Sequence, residues 1–183
     1  MWDAGWQTAI SQGITMTISL HAATVPALLQ MLTSLSITLK KTEDFAKSKG
    51  VEAETILGDR LIEDMLPMTK QIQIACDHAK GAMARISGKE NPKFEDTEKT
   101  VAELQARVAK TIEFVKSFKP SELDGQEERP ITIKLPNTEM TMPAQTYLVN
   151  YALPNFYFHT SMAYAIARKN GVPIGKANFM GRE

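Results

Sequence analysis

A helix that is apolar on every side cannot face water, so it must lie inside a domain or against another chain. The stretch from Pro143 to Lys176, PAQTYLVNYALPNFYFHTSMAYAIARKNGVPIGK, imposes that constraint. Tyr147, Leu148, Tyr151, Leu153, Phe156, Tyr157, Phe158, Met162, Tyr164 and Ile166 cover more than one helical face. Pro143 opens the segment and Asn170-Gly171 ends it. Pro154 falls within it and has no backbone N–H, which predicts a kink that frees the carbonyl near Asn150. The segment reads as the last and most buried helix of an all-α domain. Its surplus apolar face predicts an isologous homodimer, unless a hairpin and the GVPIGK tail cover that face instead.

Three further helices supply the rest of the core. From Thr24 to Ser48, Val25, Leu28, Leu29, Leu32, Leu35 and Leu39 recur at three- and four-residue steps, with Pro26 in the first turn and Gly50 as the stop. A second helix spans 68–87, its inner stripe being Ile72, Ala75, Cys76, Ala79, Met83 and Ile86. A third, capped by Asp96 or Thr97, runs over 97–118 with Val101, Leu104, Val108, Thr111, Val115 and Phe118 inward. Its other face, Glu103, Arg107, Lys110, Glu113 and Lys116, is expected in solvent. Between Arg129 and Met142 the period drops to two, which predicts a β-hairpin about Pro136-Asn137. The pattern predicts an all-α four-helix bundle with a small β-hairpin before the last helix. The 51–66 connection is expected to be its crossover. Residues 1–15 read as an N-terminal extension and 16–183 as a single domain.

Composition narrows the function classes. Lys+Arg and Asp+Glu are both 21, so the formal net charge is zero, which argues against a broad basic nucleic-acid face. The single Cys76 excludes an internal disulfide and suits a reducing, cytoplasmic compartment. No run of 18 uncharged apolar residues occurs, so no membrane span is expected. The N-terminus lacks the basic and long apolar regions of a secretory signal. Trp2 and Trp6 stand there, either in a frayed tail or as anchors of a docking arm.

The strings TISLHAATVPALLQML, QIQIACDHAKGAMARISG, FEDTEKTVAELQARVAKTIEFV and YALPNFYFHTSMAYAIARKNGVPIGKANFMG closely resemble the DUF1993 family. The resemblance covers about Met16 to Gly181. It implies a fold of the DinB-like/YfiT-like helical superfamily, a homodimer, and no known reaction. Metal-binding members of that superfamily use three histidines, one on the second helix and a His-x-x-x-His pair on the fourth. Some are metal-dependent hydrolases or thiol transferases, with a divalent ion such as zinc or nickel.

The chain has three histidines, His21, His78 and His159. His159 lacks the partner that would complete His-x-x-x-His, because position 155 is Asn and position 163 is Ala. His78 lies on the second helix and is placed to face His159; these two, with Asp77 or water, are the weak metal candidates. No cofactor is therefore expected. The plainer expectation makes His159 a core histidine bonded to a backbone carbonyl or a tyrosine, and His78 a half-exposed polar position. Asn155, Tyr151, Tyr157 and Tyr164 around Pro154 complete the candidate pocket. Cys76 reads as a small hydrophobe. GVPIGK lacks the GxxxxGK[ST] spacing and follows a helix, so it is a stop, not a phosphate loop. The residues favour a non-catalytic protein that binds a small molecule or partner, against a metal-dependent enzyme using His78 and His159.

Overall fold

The computed structural model of the protein describes residues 18–135 and 137–183. The N-terminal extension, with Trp2 and Trp6, and Pro136 lie outside the described residues. The elements in order are α1 (Leu20–Lys49), α2 (Ala53–Gly58), α3 (Met68–Ser87), α4 (Val101–Lys116), α5 (Pro120–Leu123), β1 (Pro130–Leu135), β2 (Thr138–Pro143) and α6 (Ala144–Tyr147). A π-helical turn (Leu148–Ala152), α7 (Leu153–Lys169) and α8 (Lys176–Phe179) follow.

α1 starts a turn earlier than its apolar stripe suggests. The Ser19 hydroxyl accepts the Ala22 N–H at 3.2 Å and caps the helix there. Pro26 consequently sits inside the helix, where its ring faces outward and leaves the carbonyl of the exposed Ala22 without an i+4 donor. Gly50, at φ 66°, ends α1 in the left-handed conformation, and the Gly50 and Val51 N–H groups bond the Lys47 and Ala46 carbonyls. By length and composition alone α1 could cross a membrane, a test that the core helix of a folded domain also passes. More than half of its most apolar window is buried against α3, α4 and α7, as befits a core helix.

The inward stripes fall where the periodicity puts them. Leu28, Leu32, Leu35 and Leu39 of α1, Ile72, Cys76, Ala79, Met83 and Ile86 of α3, and Leu104, Val108 and Val115 of α4 are all essentially inaccessible. α1 packs on α4 and α7 and only lightly on α3, so α1 and α3 stand diagonally. Ser36 bonds Gln105, and the His21 N–H bonds Asp124, so α1 and α4 are antiparallel. Gln71 meets His159 and Arg85 meets Tyr147, so α3 and the last helix are antiparallel too. α3 and α4, by contrast, run parallel: Asp77 meets Arg107 near their middles and Lys89 lies over Phe118 at their ends.

Parallel neighbours require a connection that returns the whole length of a helix. The strap from 88 to 100 makes that return, so the crossover is here and not in 51–66. The 51–66 segment joins two ends at the same side and is anchored by buried Ile56 and Leu57 of α2. The strap is held from below by Arg107, whose side chain is only 2% exposed and was expected in solvent. Its guanidinium pairs with Asp77 at 2.9 Å, Asp96 at 3.0 Å and Glu98 at 3.0 Å, and donates to the Glu95 carbonyl. Asp96 also pairs with Lys70, so neither it nor Thr97 caps α4. Thr100 does, in a capping box with Glu103.

The hairpin pairs Ile131 with Met142 and Ile133 with Met140, and its Thr132 and Thr141 hydroxyls meet at 2.8 Å. Ile131 and Ile133 point into the core and deliver the chain to α6. Pro154 neither breaks nor ends the last helix. It follows the π turn, in which the Leu153 N–H reaches the Leu148 carbonyl five residues back. The turn's one-residue slack absorbs the missing donor, and Asn150 lies on the exposed side. After α7, Gly171 at φ 86° and Val172 bond back to Arg168 and Ala167, and buried Val172 and Ile174 hold the tail down.

Arg107→Met removes the buried guanidinium that Asp77, Asp96 and Glu98 share. We expect a loss of about 3 kcal/mol in urea unfolding, only partly recovered by Arg107→Lys, whose ammonium cannot make the forked contacts. A loss below about 0.5 kcal/mol, the range of an ordinary surface change, would refute the role given to Arg107.

Candidate functional site

Small buried residues on α3, Ala75, Ala79, Gly81 and Ala82, let neighbouring helices come close. Against α3 the π turn and α7 set a ladder of rings. The His159 and His78 ring centres are 5.7 Å apart at 16°, His78 and Tyr151 6.0 Å, and Tyr151 and Tyr147 5.7 Å. Phe158 stands edge-on to His159 at 5.2 Å. At the far end the wholly buried Tyr147 places its hydroxyl 3.3 Å from an Arg85 nitrogen.

His159 is oriented by Gln71, not by a backbone carbonyl or a tyrosine as expected. The Gln71 amide nitrogen donates to the Leu66 carbonyl at 3.0 Å, so its oxygen faces the imidazole. That oxygen lies 2.7 Å from Nδ1 of His159. An amide oxygen only accepts, so Nδ1 carries the proton and Nε2 keeps a free lone pair. Burial lowers the pKa of His159. Burial, with His159 and then Arg85 as neighbours, pushes His78 down to about 4. Both imidazoles are therefore neutral near pH 7.

The expected residues separate into two groups. His78, His159 and Tyr151 come together, with Asn155 beside them, its amide donating to the Tyr151 carbonyl at 2.7 Å. Asp77 turns away, to Arg107 and Lys80. Tyr157 tilts against Phe156 on the outside, and Tyr164 packs on Phe179 of the tail. His21 lies in the first turn of α1, its N–H on Asp124. Cys76 is fully buried and its thiol is pushed up to about 11, the state of an inert core residue. A groove of about 530 Å³ between the strap and α4, lined by Pro92, Phe94 and Phe114, contains none of the candidates.

Gln71, Arg85 and Tyr147 escaped the sequence reading. A signal for two of them exists: Gln71, His78 and Arg85 recur at seven-residue steps, so they lie along one line of the helix. Among the described residues no group of three or more His, Cys, Asp or Glu side chains is placed to hold one ion. The arrangement can donate and accept hydrogen bonds from a half-buried, uncharged pair of imidazoles flanked by aromatic rings.

The model of the DUF1993 family, described as a domain of unknown function, matches residues 20–180. A crystal structure of a DinB family member protein from Shewanella denitrificans superposes with a TM-score of 0.82 at 34% identity, covering 90% of this chain and 93% of that one. The comparison with curated proteins gives no match.

The neutral imidazoles make stability depend on pH. The unfolded chain protonates His78 near its ordinary 6.5, the folded chain only near 4. The contribution of the neutral ring is whole above pH 6.5 and is lost as pH falls through that window, up to about 3 kcal/mol. His159 adds in the same direction. We expect His78→Asn to flatten the fall in urea midpoint between pH 7 and 4.5. Identical slopes for the variant and the parent would contradict the assignment.

Proposed function

The chain belongs to the DUF1993 family, and we propose that it is a DinB-like four-helix bundle that binds a small molecule at the His78–His159 face, over a metal site that lacks a ligand. The supporting observation is at position 155. A catalytic zinc takes three protein ligands, and two imidazoles supply two. The residue one turn before His159 is Asn155, and its amide is engaged with the Tyr151 carbonyl. The donor set therefore does not fit a catalytic zinc or nickel centre. The lone buried Cys76 thiol is in keeping with a cytoplasmic protein.

A metal-dependent enzyme, a hydrolase or thiol transferase using His78 and His159, is the second reading. Its support is the bond from His159 Nδ1 to Gln71, which leaves Nε2 free in the manner of ligating imidazoles. Elemental analysis of protein purified without a His tag separates the two readings. We expect zinc and nickel well below one equivalent, and stoichiometric retention of zinc only after Asn155→His restores the third ligand. One equivalent of metal in the parent protein would reverse the choice.

The proposal includes a second copy of the chain. The tail covers part of the surplus apolar face, since Phe179 packs on Tyr164. Val149, Tyr157 and Phe158 stay 55%, 38% and 50% exposed on the last helix, a patch suited to an isologous contact. Light scattering is expected to give twice the chain mass of 20.3 kDa, and Phe158→Asp to return it to one chain. A parent protein of single-chain mass would leave the tail as the whole answer to that face.

A further inference from the structure

Among the described residues, Arg85 is the cation that bonds into the ring ladder. Its side chain folds back along α3 onto Gly81, where a Cβ would collide with the guanidinium. Gly81 is one turn from His78 on the same helix, and Arg85 one turn further, so all three share a face. The Tyr147 hydroxyl, fixed by complete burial of its ring, takes one guanidinium nitrogen at 3.3 Å. Among the described residues no carboxylate lies within ion-pairing distance of Arg85. Arg107, by contrast, holds three. Arg85 also remains exposed to solvent. A guanidinium that is positioned, accessible and without a counter-charge presents its forked donors to whatever anion enters.

Resting on the reading of His78–His159 as a ligand site, we infer that the ligand carries an oxyanion, a carboxylate or a phosphate, which Arg85 binds while the imidazoles hydrogen-bond the rest of the molecule. Gly81 is part of this device. A glycine inside a helix lowers helix stability relative to alanine, and here it makes room for the guanidinium beside Tyr147. Tyr151, partly exposed between His78 and the buried Tyr147, offers an aromatic face for the body of the ligand. The net charge of the chain is zero, so the selectivity for anions is local to this face and does not arise from the field of the whole protein.

The test follows imidazole ring resonances of His78 and His159 by NMR during titration with three probes: phenylacetate, phenyl phosphate and the neutral phenylacetamide. We expect at least one charged probe to bind about tenfold more tightly than the amide, the scale of one charge-assisted hydrogen bond. The better of the two charged probes identifies the oxyanion. Arg85→Gln should erase the preference for charge. Gly81→Ala should weaken it while raising the thermal midpoint, because alanine favours the helix yet displaces the guanidinium; a merely structural role for the arginine would not separate those two effects. Equal binding of charged and neutral probes at the histidines, or an unaltered preference in both variants, overturns the inference and leaves the ligand site standing. Ring resonances that respond to none of the probes overturn both.

Discussion

Two parallel helices side by side are an awkward arrangement for a short chain, because the link between them must travel the full length of a helix without secondary structure of its own. The buried guanidinium of Arg107 makes that link hold. It binds carboxylates from the strap and from α3 together with a strap carbonyl, so one side chain ties three segments. The Phe94 ring of the strap faces three cations, Lys110 at 4.1 Å, Lys80 at 5.1 Å and the Arg107 guanidinium at 5.6 Å. The arrangement is not fully satisfied: Nε of Arg107 and the side-chain oxygen of Gln73 are buried without partners. Its value is geometric, since a buried ion cluster is seldom better for stability than a well-packed apolar one.

With α3 placed beside α4, its opposite side is left for the last helix. The antiparallel pairing of these two sets the ring ladder, and its register depends on both ends. Gln71 bonds His159 at one end and Arg85 bonds Tyr147 at the other. The π turn between Tyr147 and Leu153 adds one residue to that span. Tyr147 before it, Leu148 at its start and Phe156 after it are all wholly buried. Removing the extra residue would rotate one of those groups out of the core, so the turn is held by packing on both sides.

Periodicity by itself determined which residues of α1, α3 and α4 face inward, where the hairpin lies, and that the second helix spans 68–87, because side chains three and four apart share a helical face whatever the partner is. The family resemblance, not periodicity, drew attention to His78 and His159, and to positions 155 and 163, Asn and Ala, as the two places where a His-x-x-x-His partner is missing. Gly50 and Gly171 were legible as stops, since a left-handed terminal residue is a local requirement. Only the tertiary structure decided that Arg107, on a face patterned for solvent, is buried, because the strap that covers it comes from elsewhere in the chain. The same holds for the parallel course of α3 and α4, for the capping of α4 by Thr100 after Asp96 is taken by Arg107 and Lys70, and for the turning of Asp77 away from its neighbour His78. It holds too for Gln71 and Arg85, which flank His78 at seven-residue steps but gain their roles from His159 and Tyr147, roughly sixty to ninety residues away in the chain. Local pattern specifies the face of an element; the partner of a polar group is set by which elements meet, and no single segment carries that information.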